Sequence, residues 1–172
     1  DIVAEAAKAM PFRAYIAVAD ARFEMVQADM PGTVQDFCRE TTQPVPESIG
    51  QIARCVYESL AMKFRSKLLS LEGLTGVPIE VLHLVGGGIQ NKLLCEWTAN
   101  AVGVPVVAGP AETTSVGNLI FQMKNAGVVS SVAEGREMCR RSFHLEHYDP
   151  AGSDEWQNEF VRYLDVVGKK EG

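Results

Sequence analysis

The chain has 172 residues, 47% of them hydrophobic and 22% charged, which is ordinary for one globular domain with a real core. Its net charge of -6 argues against nucleic acid or an anionic membrane as a partner, since either asks for a basic surface. No apolar run approaches the ~20 residues of a membrane-spanning helix, no stretch reads as a secretory leader, and four scattered cysteines make no disulfide scaffold, so a reduced, cytoplasmic setting is the expectation.

Taken in order, Asp1 to Met10 reads as a short helix stopped by Pro11. The chain enters that pattern with no initiating Met, so the expectation is a piece of a longer protein. Phe12 to Phe23 is mixed, with a short strand at Ala14 to Val18. Thr33 to Glu40 reads as a helix capped by Thr33, and Gln43 to Pro46 as a loop. Ser48 to Glu72 is the strongest helix. Ser48 and Gln51 have capping-box spacing, Ile49, Ile52, Val56, Leu60, Phe64, Leu68 and Leu71 fall on one face, and Gly73 offers the stop. Val81 to Val85 reads as a strand buried on both faces, with His83 as a hydrogen-bonded core histidine. Lys92 to Val102 is a helix ended by Gly103, Pro105 to Ala108 a strand, and Thr114 to Asn125 a helix. Ser131 and Glu134 open another helix through Arg141. His144 to Gly152 is a loop, and Ser153 to Val167 an amphipathic helix carrying Trp156, Phe160 and Leu164. Helices alternating with buried strands give an α/β class. Only two strands are convincing, too few to sit under so many helices, so further strands are expected in a preceding part.

The chemistry concentrates after the first of those strands. Gly86, Gly87 and Gly88 follow Val85, and Ile89-Gln90-Asn91 opens the next helix. Bare backbone there lets a flat ligand or a phosphate come close, at the carboxyl end of a strand, where α/β proteins bind nucleotides. The Gln90 and Asn91 amides can donate and accept at a base edge or a ribose hydroxyl. The alternative is a tight turn with Asn91 as a helix cap, but three glycines exceed what a turn needs. Gly86-x-Gly88-x-x-Asn91 is neither a Rossmann fingerprint nor a Walker loop. Glu112 precedes a helix whose first turn is small; it could hold a metal-bound water or a ligand hydroxyl, but its place near the positive helix end is the favoured reading. His144, Glu146, His147 and Asp149 are ligand-type residues on a loop without a metal scaffold. Cys38 and Cys55 flank the Pro44 to Pro46 loop and read as reduced, packed thiols. No residue looks like a general base for a sugar hydroxyl.

The stretch Val85 to Asn118 resembles the signature region of the FGGY carbohydrate kinases, and within them the members that act on L-rhamnulose. Pro11 to Ala14, Ala19 to Phe23, Phe37 to Glu47, Ala53 to Ala61 and Arg140 to Phe143 carry the same likeness. Two places differ from the usual pattern: Ala17-Val18-Ala19-Asp20 stands for an Asp-Pro-Asp-like run, and Glu112-Thr113-Thr114-Ser115 for Glu-Ala-Thr-Ala. The resemblance implies a protein of two ribonuclease-H-like, actin-like ATPase domains with a cleft between them. Sugar binds mainly to the first domain, and ATP with Mg²⁺ lies against the second. Residues 1 to 172 would be one C-terminal, nucleotide-side domain, incomplete at its first strands. Gly87 would sit at the nucleotide with Gly86, Gly88, Gln90 and Asn91 beside it. The family's catalytic Asp and sugar contacts match nothing here, so they are expected upstream, and this piece alone is expected to be inactive. The implied reaction moves the γ-phosphoryl of ATP to the C1 hydroxyl of L-rhamnulose. The rivals are a kinase of the same family for xylulose, fuculose or glycerol, and a non-catalytic actin-like ATP-binding module.

Overall fold

A computed structural model of the chain describes residues 1–24 and 28–171. Helix α1 (Ile2–Lys8) starts on Asp1, whose carboxylate accepts from the Val3 N–H at 3.0 Å. The strand expected at Ala14 to Val18 does not form. Ala14, Tyr15, Ile16 and Ala17 are buried all the same. Their backbone is satisfied by side chains in place of a neighbouring strand. The Gln43 amide accepts from Tyr15 N–H at 2.8 Å and donates to the Tyr15 carbonyl at 2.7 Å, and Ser59 Oγ accepts from Ile16 N–H at 2.9 Å. An apolar run can be buried without a ladder when every polar group finds such a partner.

Helix α2 (Ala21–Glu24) is one turn. Helix α3 (Met30–Glu40) begins earlier than expected, because Asp29 caps it and Thr33 instead donates its hydroxyl to the Asp29 carbonyl. Pro31 sits in the first turn, where a missing N–H costs nothing. Helix α4 (Ile49–Thr75) has the expected capping box, with both Ser48 and Gln51 side chains engaged. It runs through Gly73 and stops at Gly76 (φ 66°). Glycine inside a helix is a modest cost, whereas the left-handed residue past its end is where glycine is required.

The buried face of α4 is not the expected stripe. Ile49 and Leu71 are 67% and 50% exposed, while Gly50, Cys55, Glu58, Ser59, Ala61, Met62 and Leu68 are buried. Small residues win because backbones approach closely on that side. A Cβ added at Gly50 would stand 2.5 Å from the Glu5 carbonyl oxygen of α1.

The sheet holds β1 (Leu82–Leu84), β2 (Val106–Ala108) and β3 (Glu146–Tyr148) in that order. Strands β1 and β2 are parallel, with Leu82 opposite Val106; β2 and β3 are antiparallel, with Val106 opposite Tyr148. The third strand lies in the segment read as loop. His83 is exposed, so β1 is covered on one side only and the expected core histidine is a surface one. Helix α5 (Lys92–Val102) links β1 to β2, ends at Gly103 as expected, and lies along α4. Helix α6 (Thr113–Asn125) and helix α7 (Val132–Ser142) pack on each other. Helix α8 (Ser153–Glu171) returns across α5 and α4. It buries Trp156, Phe160 and Tyr163, while Leu164 is 45% exposed. The main core joins Phe12, Tyr15, Phe37, Met62, Trp97, Trp156, Phe160 and Tyr163; a smaller one joins Leu68, Ala99, Val102 and Val106. Cys38 and Cys55 are both buried free thiols in the main core.

Glu58 is a buried carboxyl beside that core, at 1% exposure. It accepts from the Phe12 N–H at 2.9 Å and from Arg54 Nε at 2.6 Å. Burial pushes its carboxyl up to about 7, against the opposing pull of Arg54 and the Phe12 amide. The folded chain therefore holds a proton between the ordinary carboxylate range and pH 7 that the unfolded chain has released. Stability contributed this way is present below that range and is lost as pH rises through 7. The full shift corresponds to about 3 kcal/mol. Urea unfolding between pH 4.5 and 8 should show stability falling with pH by up to that amount, and Glu58→Gln should flatten the slope. An equally steep profile for the variant would remove Glu58 as its source.

Candidate nucleotide site

Strand β1 delivers the chain to Gly86, whose φ of 85° is open to glycine and strained for other residues. A 3-10 turn, Gly87–Gln90, follows, and Asn91 caps α5 by accepting from Leu94 N–H at 3.1 Å. All five residues singled out in the sequence thus stand on one turn at the carboxyl end of a parallel strand.

The turn's own geometry accounts for only one of its three glycines. Gly87 and Gly88 have no positive φ, and a Cβ at either would meet nothing within 4 Å. They are exposed, and among the described residues no side chain fills the space a Cβ there would occupy. The Asn91 side-chain carbonyl is committed to the cap, so it serves the helix whether or not it also meets a ligand. Among the described residues neither the Gln90 amide nor the Asn91 NH₂ has a hydrogen-bond partner. The chemical capacity is a patch of bare backbone flanked by two carboxamides at a helix start, suited to a flat polar ring or a ribose edge.

A cavity of about 200 Å³ adjoins the turn, lined by Ile89, Gln90, Lys92, Ala108, Ala111, His144 and Glu146. The segment entering β3 lies against the turn. A Cβ on Gly109 would stand 3.2 Å from Leu145, 3.4 Å from the His144 carbonyl and 3.9 Å from Ile89. Lys92 Nζ donates to Glu146 Oε1 at 2.6 Å, and the Tyr148 hydroxyl donates to Glu146 Oε2. These donors hold the Glu146 carboxyl below its ordinary range, Lys92 first; burial, then the Glu146 bond, push the Tyr148 phenol up.

Sequence reasoning missed His144, Glu146 and Lys92 as neighbours of the turn. The residues His144 to Tyr148 do not alternate cleanly, and only pairing with β2 makes a strand of them. Glu112 lies just before α6 with no side-chain cap bond. A second opening of about 550 Å³, lined by His83, Val85, Pro110, Ile120, Phe121 and Arg136 among others, lies under α6 and α7. Among the described residues no group of three or more His, Cys, Asp or Glu could hold a metal ion, and no helix is long and apolar enough to cross a membrane.

The model of the FGGY family of carbohydrate kinases, C-terminal domain, matches residues 2–126. The chain belongs to that family. Its curated relatives include a rhamnulokinase of Bacteroides thetaiotaomicron, 42% identical over 167 residues, 97% of this chain and 34% of the relative. A rhamnulokinase of Pectobacterium carotovorum is 38% identical over 160 residues, 92% of this chain and 32% of the relative. The chain therefore spans about a third of the length of these FGGY relatives. Among solved structures, the gluconate kinase from Lactobacillus acidophilus superposes with a TM-score of 0.57 at 15% identity, over 71% of this chain and 25% of that one. The fold is thus the actin-like α/β fold of FGGY kinases, as the resemblance of Val85 to Asn118 implied.

Because the space over Gly87 is empty of protein, Gly87→Ala should leave folding nearly untouched, within about 0.5 kcal/mol. Chemical denaturation of the two proteins checks this. A loss of more than 2 kcal/mol would mean that the glycine serves packing.

Proposed function

We propose that this chain is the adenosine-binding side of an ATP-dependent sugar kinase that phosphorylates L-rhamnulose at its C1 hydroxyl in rhamnose breakdown, in the cytoplasm. The reading rests on the unfilled backbone over Gly87 and Gly88 at the end of β1. The substrate comes from the likeness to relatives named rhamnulokinase. On this reading residues 1 to 172 are one C-terminal domain. The remaining strands, the sugar site and the aspartate that takes the hydroxyl proton lie in the preceding part, and the chain alone has no turnover.

Phosphoryl transfer asks for in-line placement of the acceptor, neutralisation of charge and a base, with little covalent work by the protein. The hydroxyl oxygen bonds to the γ-phosphorus, the bond to the β-phosphate oxygen breaks, and ADP leaves. This chain's share is placement. Gly87 and Gly88 let the nucleoside lie against backbone, Gln90 and Asn91 present amides to its polar edge, and the α4–α5 pair keeps the turn rigid. Mg²⁺ would supply charge neutralisation at the phosphates. Among the described residues no cluster of three or more ligand-type side chains would cage it, so the phosphates would supply its main ligands.

The reading predicts that the chain binds ADP and does not bind NAD, and that Gly87→Ala weakens ADP at least tenfold while remaining folded. Calorimetric titration at millimolar ligand checks both. Joined to its preceding part, the protein should turn over L-rhamnulose faster than xylulose, fuculose or glycerol. Preference for another of these would leave the kinase and replace the sugar. Binding of ADP without turnover of any would favour a non-catalytic actin-like module.

A further inference from the structure

The Glu146 carboxylate is held from two sides and still faces the space beside the glycine turn. Lys92 fixes one oxygen at 2.6 Å and the Tyr148 hydroxyl fixes the other. Each carboxylate oxygen can accept more than one hydrogen bond, so both retain capacity. The side chain is 31% exposed and lines a cavity together with Ile89 and Gln90. Strand β3 brings it there through its pairing with Ala108 of β2. A carboxylate beside a polyanion would ordinarily repel it. Here the ammonium of Lys92 offsets that charge at contact distance, and what remains is an oriented acceptor.

We propose that Glu146 accepts a hydrogen bond from a donor of the bound nucleoside, either a ribose hydroxyl or the exocyclic amine of adenine, and that Lys92 keeps this acceptor from repelling the nucleotide. The inference rests on the nucleotide reading above and extends it to residues outside the glycine turn. Glu146 is a positioning and specificity residue in this scheme. It touches the nucleoside and no reacting atom.

The test is titration of the chain with ADP, 2′-deoxy-ADP, 3′-deoxy-ADP and IDP, followed by amide chemical shifts and by dissociation constants. The deoxy compounds lack one hydroxyl each, and IDP lacks the exocyclic amine. Wild-type protein should prefer ADP about tenfold over the one analogue that lacks the partnered donor. Amides at both 86–91 and 144–148 should shift. In Glu146→Ala that preference should fall to about one, in Glu146→Gln it should persist in part, and Lys92→Ala should weaken all four ligands while the ratio survives. Chemical denaturation confirms that each variant is folded. Shifts confined to 86–91, with ratios unchanged in Glu146→Ala, would overturn the inference and leave the nucleotide reading standing. No shift anywhere up to millimolar ADP would overturn the reading itself, and this inference with it.

Discussion

The Arg54–Glu58 pair is the contact on which the rest of this architecture leans. Arg54 donates Nε to Glu58, and its Nη1 reaches the carbonyls of Ala6 (3.3 Å) in the last turn of α1 and Ala9 (2.7 Å) just after it. Its guanidinium lies 4.5 Å from the centre of the Trp97 ring on α5. Glu58 in turn holds the Phe12 amide, whose carbonyl takes a bond from Arg162 on α8. One buried ion pair therefore gathers α1, the turn after it, α4, α5 and α8. Such pairs contribute modestly when intact, but removing Glu58 leaves the buried Arg54 guanidinium without its acceptor, at a cost of about 3 to 5 kcal/mol. The arrangement fixes geometry more than it adds stability.

That geometry reaches the candidate site through α5. Trp97 is clamped beneath Arg54, and α5 lies along α4, so the start of α5 at Asn91 is set by the same core. The glycine turn is then a short, rigid span between β1 and a well-anchored helix. The proposed binding surface of bare backbone needs this support, because its glycines have no side chains to adjust. On the other flank β3 closes against β2 and carries Glu146 to the turn. The site's two walls thus come from the parallel and the antiparallel halves of one small sheet.

Much of this was legible in the residues. The Ser48–Gln51 capping box, the Gly103 stop and the Asn91 cap are local devices whose partners lie three or four residues away, so spacing alone reveals them. The glycine turn was legible for the same reason. What escaped were features decided at long range. Ala14 to Val18 looks like a strand because it is apolar, yet Gln43 and Ser59 satisfy the backbone of Tyr15 and Ile16 from 28 and 43 residues away. The face of α4 was misjudged because Gly50, Ala61 and Glu58 are buried through close approach and an ion pair, which a hydrophobic stripe does not encode. Strand β3 is three residues long with a histidine and a glutamate in it, and only pairing with β2 makes it a strand. Glu146 became a candidate once that pairing placed it.

The exposed backbone at Gly87 and Gly88 has a consequence for how this sequence changes over generations. Residues that fill a core are kept by folding itself, since their loss lowers the amount of protein. These two glycines have no such guardian. Drift could replace them in a lineage that no longer needed the ligand, and the chain would still be made in full yield. On the proposed nucleotide reading, their retention in a descendant would record use of the site, and their erosion would precede any visible decay of the fold.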